Sequence, residues 1–150
     1  MKNFIFSTLI AWSAFISLAQ PANDGCAGAT TLPQNGGCVN GTTASATDTW
    51  TGTVGCAGNN AEVWYSFVAT GTVSQITMTQ TTMTGNVELT LVGSTSACTG
   101  LGIQGTYCGS VAGIPTNTFA GLTPGVRYYL TISGTGTRGT FRICNTVITP

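Results

Sequence analysis

The groups that could do chemistry in this chain are few: the carboxylates of Asp24, Asp48, Glu62 and Glu88, and six cysteines at 26, 38, 56, 98, 108 and 144. Histidine is absent. Without imidazole the commonest general base and the nitrogen metal ligand are both missing, and neither a Ser–His–Asp nor a Cys–His arrangement can be built. Glycoside hydrolysis needs two carboxylates flanking the scissile bond. Here Glu62 stands at a strand entrance and Glu88 in mid-strand on a face that reads as solvated, the pattern of surface and turn-capping acids. A hydrolase is the remotest reading, and the chain is expected not to be an enzyme. Zinc is disfavoured because no Cys-x-x-Cys pair occurs. Asn23, Asp24, Asp48, Asn59, Asn60 and Glu62 are oxygen donors that a folded domain could gather around calcium, but too few are charged for a tight site. No cofactor is expected.

The elements that must position these groups begin after a leader. Lys2 precedes the apolar run "FIFSTLIAWSAFISLA", and small residues stand at Ser17 and Ala19. This is the pattern of a signal peptide over residues 1–19, cut to leave Gln20 first. The run is short for a bilayer span and is diluted by Ser7, Thr8, Ser13 and Ser17, so no membrane insertion is expected once it is cleaved. Residues 20–150 read as a single module, secreted or at the cell surface. An even number of cysteines in an exported chain implies three disulfides. Charged residues are 5% of the chain and balance to zero, so there is no basic surface for nucleic acid.

After the leader no helical periodicity is found. Short segments rich in β-branched and aromatic residues recur between Gly, Asn, Ser and Pro, which is the all-β signature. The expected strands are 29–32, 42–50, 62–69, 74–80, 87–92, 102–107, 117–119, 126–133 and 140–145. In "NVELTLVG" Val87, Leu89 and Leu91 alternate against Glu88 and Thr90, and Val126, Tyr128, Leu130 and Ile132 alternate against Arg127, Tyr129 and Thr131. Val63, Tyr65 and Phe67 oppose Trp64, so that strand reads as buried on both faces. Strands of this kind, most with one solvated face, predict an all-β, two-sheet antiparallel β-sandwich, jelly-roll-like, held by disulfides.

"LTPGVRYYLTISG" carries its own mechanism. Pro124 presets the first central position of a type II turn, and Gly125 accepts the positive φ of the second. Tyr128 then enters an apolar-faced strand, placed to return its hydroxyl to the turn backbone as a tyrosine corner. The thirteen residues share their spacing with fibronectin type III modules, yet only one strand follows Tyr128's, and three disulfides are foreign to that module.

"ANDGC", "GTTASAT", "AEVWYSFVATGT", "GNVELTLVGS", "GLTPGVRYYLTISG" and "GTFRIC" occur in that order from Ala22 to Cys144. In this order the chain resembles secreted modules of Bacteroidota exoproteins, similar to pre-peptidase C-terminal and CUB-like jelly rolls. The resemblance implies a non-catalytic adhesion or accessory module, a spacer or binder attached to a larger exported protein. Its partner would be a cell-surface or extracellular polymer or protein. The sequence departs from the family's acidic pattern at Asn60-Ala61-Glu62 and at Gly85-Asn86, which weakens any calcium role that the resemblance implies.

Proximity in sequence pairs Cys98 with Cys108 and Cys26 with Cys38, leaving Cys56 for Cys144. The alternative function is a small carbohydrate-binding module using loop aromatics, with Trp50, Asn59, Asn60 and Tyr107 as ligand contacts. Trp50, Tyr107 and Tyr129 are the aromatics expected at the surface. The Thr-rich "TMTQTTMTG" has no repeat elsewhere and reads as a polar strand face and turn rather than an ice-binding ladder.

Overall fold

The computed structural model describes residues 19–50, 61–93, 97–110 and 116–148. They form nine strands and one 3₁₀ turn at Cys26–Gly28. The strands are β1 (Thr30–Thr31), β2 (Gly37–Thr42), β3 (Val63–Val68), β4 (Val73–Gln80), β5 (Asn86–Gly93), β6 (Gly102–Ser110), β7 (Thr116–Ala120), β8 (Arg127–Gly134) and β9 (Thr140–Ile148). One sheet has the order β1-β3-β8-β5-β6 and the other β2-β9-β4-β7. β2 pairs with β9, β3 with β8, β4 with β7 and β5 with β6, all antiparallel. That is a long folded ribbon wound into two sheets, the jelly-roll winding. β1 is an addition, parallel to β3. Among the described residues no helix is long and apolar enough to cross a membrane.

The core is the alternating set between the sheets. Val63, Tyr65 and Phe67 of β3, Leu89 and Leu91 of β5, and Leu130 and Ile132 of β8 meet Ile76 and Met78 of β4 and Phe141 and Ile143 of β9. The period of two that is visible in sequence is what selects this inner face. The turn into β8 also forms: Gly125 has φ +84, the Val126 N–H donates to the Thr123 carbonyl at 3.1 Å, and the Thr123 N–H donates to the Tyr128 hydroxyl at 2.9 Å. Gly125 and Ala69 tie the corner to the end of β3 through the bonds Gly125 N–H to Ala69 O and Ala69 N–H to Val126 O.

Three expectations are corrected. The strand expected at 42–50 lies earlier, at Gly37–Thr42. Residues after Thr42 turn instead: Ser45 has φ 61 and the Ala46 N–H reaches the Thr43 carbonyl. Thr-rich composition suggested a strand, but its hydroxyls and the nearby carboxylates hold a turn and an irregular arm.

The disulfides are also differently connected. Cys38 bonds Cys144, its register partner on the adjacent strand, and Cys26 bonds Cys98. These pairs exclude Cys26–Cys38, Cys98–Cys108 and Cys56–Cys144. Cys108 is disulfide-bonded as well, and Cys56 lies outside the described residues. Sequence proximity misled because jelly-roll winding pairs early strands with late ones, so the bridged cysteines are 72 and 106 residues apart.

The outer face of the five-stranded sheet, finally, is not solvated at its centre. Glu88, Thr90, Thr131 and Ser133 are all buried there.

Candidate functional site

The covered sheet face shows what the carboxylates do. Trp64, Val92 and Tyr129 form a second apolar cluster on the outer side, and Cys26, Ala29, Trp50, Cys98 and Leu101 pack over it. The Cys26–Cys98 bridge joins two of these covering segments. Asp24 receives the Thr47 N–H at 2.7 Å and the Thr47 hydroxyl at 2.6 Å. Glu62 receives the Thr49 N–H at 3.0 Å and the Trp64 indole N–H at 3.3 Å, and the Thr49 hydroxyl lies 2.5 Å from it. These two acids therefore hold the arm that carries Trp50, which meets Trp64 edge-on at a centroid distance of 5.9 Å. Asp48 is exposed.

Glu88 differs. It is 4% exposed, in register between Ser133 on β8 and Cys108 on β6, and the Thr90 hydroxyl donates to it at 3.2 Å. Burial pushes its carboxyl above the usual value, and the hydrogen bond from Thr90 opposes that only in part. The solvated face expected for Glu88 is thus corrected: its side chain is buried. Among the described residues no group of three metal-ligating side chains forms. The carboxamide of Asn23, a calcium candidate by sequence, donates to the Trp64 carbonyl at 2.9 Å.

The expected ligand contacts do not come together. Trp50 packs on the outer cluster and Tyr107 on the inner core, on opposite faces of one sheet, so they cannot form a shared platform. Tyr129, expected at the surface, is buried under the covering segments. Asn59 and Asn60 lie outside the described residues.

A concave site does exist elsewhere, at the side of the sandwich where edge strand β2 faces the segment before β1. This cleft of about 310 Å³ is lined by residues that include Pro21, Asn23, Asn40, Gly41, Thr42 and Tyr65. The local sequence explains it. The Trp64 N–H donates to the Asn23 carbonyl, and the Leu32 N–H to the Ser66 carbonyl, so the leading segment is tied along β3. Tyr65 stacks edge-on to Phe141 and sends its hydroxyl across the inter-sheet gap to β2. A side chain at position 41 would collide with that hydroxyl and with the Phe141 ring, which is why a glycine stands inside this strand. Burial pushes the Tyr65 phenol up to about 12, against the opposing hydrogen bond from the Asn23 side chain. It stays a neutral hydrogen-bond donor at ordinary pH. Sequence reading assigned Tyr65 to the core and passed over the cleft. The available signal was Gly41, an isolated glycine in a β-run and so a mark of close approach.

Among solved structures the chain is similar to the pre-peptidase C-terminal domain of a collagenase from Bacillus anthracis, at 14% sequence identity and a TM-score of 0.48, over 78% of this chain and 93% of that one. No protein-family model and no curated protein matches the chain.

Proposed function

We propose that this protein is an exported, non-catalytic accessory module that serves attachment or spacing at a cell surface or in the extracellular medium. The observation that carries this reading is the use made of the carboxylates. In a chain with no histidine, acid–base chemistry would fall to them. Asp24 and Glu62 instead spend their oxygens on Thr47, Thr49 and Trp64, and Glu88 is buried. The disulfides support export, because such bonds persist in oxidising compartments. The leader over residues 1–19 would supply the route. A surface with so few charges recruits nothing by long-range steering, so contacts would come from hydroxyls and amides. To test the reading, the secreted chain is incubated with polysaccharide, ester and peptide substrates. No product above the buffer blank is expected, whereas turnover abolished by Glu88→Gln would make the protein a hydrolase.

A further inference from the structure

We infer that the cleft between β2 and the Pro21–Asn23 segment is a binding site for a neutral sugar, one pyranose unit deep. The inference rests on the accessory-module reading and gives it a ligand class. Three observations carry it. The cleft has the volume for one ring and its immediate substituents, about 310 Å³. None of its lining residues is charged, so a carboxylate, phosphate or ammonium ligand would be buried without a counter-charge. Its floor holds the hydroxyl of Tyr65, a side chain that is 1% exposed. The Asn23 carboxamide donates to the phenol oxygen and so lowers its pKa, against the larger effect of burial.

A wholly apolar occupant would offer the phenol hydroxyl no polar partner. A pyranose satisfies both demands. Its C–H face lies on Pro21 and Ala22, and its hydroxyls meet Tyr65, Asn40, Thr42 and Thr140 around it. Gly41 is the specificity element, since any side chain there closes the floor onto Tyr65.

The test is an amide-shift titration of the ¹⁵N-labelled, oxidised secreted chain with methyl glycosides of glucose, galactose, mannose and N-acetylglucosamine, and with methyl glucuronide as the charged probe. At least one neutral glycoside is expected to shift the amides of Asn23 and of residues 40–42. Tyr65→Phe, which removes only the oxygen and its proton, should weaken that glycoside about tenfold, the equivalent of one hydrogen bond. Asn40→Ala, on the exposed edge of β2, provides the same readout in a variant that leaves the core untouched. Trp50→Ala should not change the affinity. No shift with any neutral probe overturns the inference. So do shifts confined to the Trp50 side of the molecule, stronger binding of the glucuronide, or undiminished binding by both Tyr65→Phe and Asn40→Ala. A chain that is exported, oxidised and inert towards substrates yet shows no shift fails this inference alone, whereas turnover fails the accessory reading itself.

Discussion

Tyr128 and Glu88 are both single side chains whose surroundings decide their energetics. The Tyr128 hydroxyl accepts from the Thr123 N–H, so Tyr128→Phe leaves a backbone donor behind and should destabilise by about 1–2 kcal/mol in urea melts. Tyr129→Phe should cost less, because its ring packs on Trp64 and Val92 in the outer cluster. Glu88 gives a pH signature. A carboxyl held above its ordinary value binds its proton more tightly in the folded state, so its contribution favours folding at low pH and is lost as the pH rises through the raised value. Glu88→Gln should therefore melt higher than the wild type at pH 7, with the difference closing below the ordinary value of about 4.5. An unchanged gap across that range would mean that burial does not raise the affinity of this carboxyl for its proton. The corner was legible because Pro124, Gly125 and Tyr128 act within seven residues of one another. The burial of Glu88 was not, since its alternation with Val87 and Leu89 says only that it faces away from the inner core.

At the scale of elements, the strands that carry a clean alternation stand where the pattern puts them: β5 at Asn86–Gly93 and β8 at Arg127–Gly134. Thr42–Trp50 did not, because β-branched composition without alternating burial marks a preference and not a ladder. Its conformation is held instead by Asp24 and Glu62, which are distant from it in sequence. The disulfides were illegible for the same topological reason, since strand pairing determines which cysteines meet. The Cys38–Cys144 bridge closes a separation of 106 residues. In the chain-entropy account, replacing both cysteines by alanine should cost about 2–5 kcal/mol, seen as an earlier denaturant midpoint with the β2–β9 pairing retained. The candidate site was half legible in the same sense. Trp50 and Tyr107 both read as loop aromatics, yet Tyr107 lies within β6 and turns to the inner core while the irregular arm lays Trp50 on the outer cluster. Gly41 and Tyr65 look structural in sequence and meet only after the sheets stack.

As a whole, the molecule is a disulfide-bonded jelly roll with its core between two sheets and a second layer held over the outer face of the five-stranded one. Cys26–Cys98 clamps that layer, the carboxylates of Asp24 and Glu62 tie its arm, and the cleft beside β2 is left open. Export, oxidation and this architecture stand or fall together, because the bridges close only if the chain leaves a reducing compartment and winds in this order. Non-reduced peptide mapping of the natively secreted chain tests all three most directly. The account predicts a mature N-terminus at Gln20, with Cys26 linked to Cys98 and Cys38 linked to Cys144. Free thiols at these positions, a retained leader, or links between sequence neighbours such as Cys98 and Cys108 would contradict it.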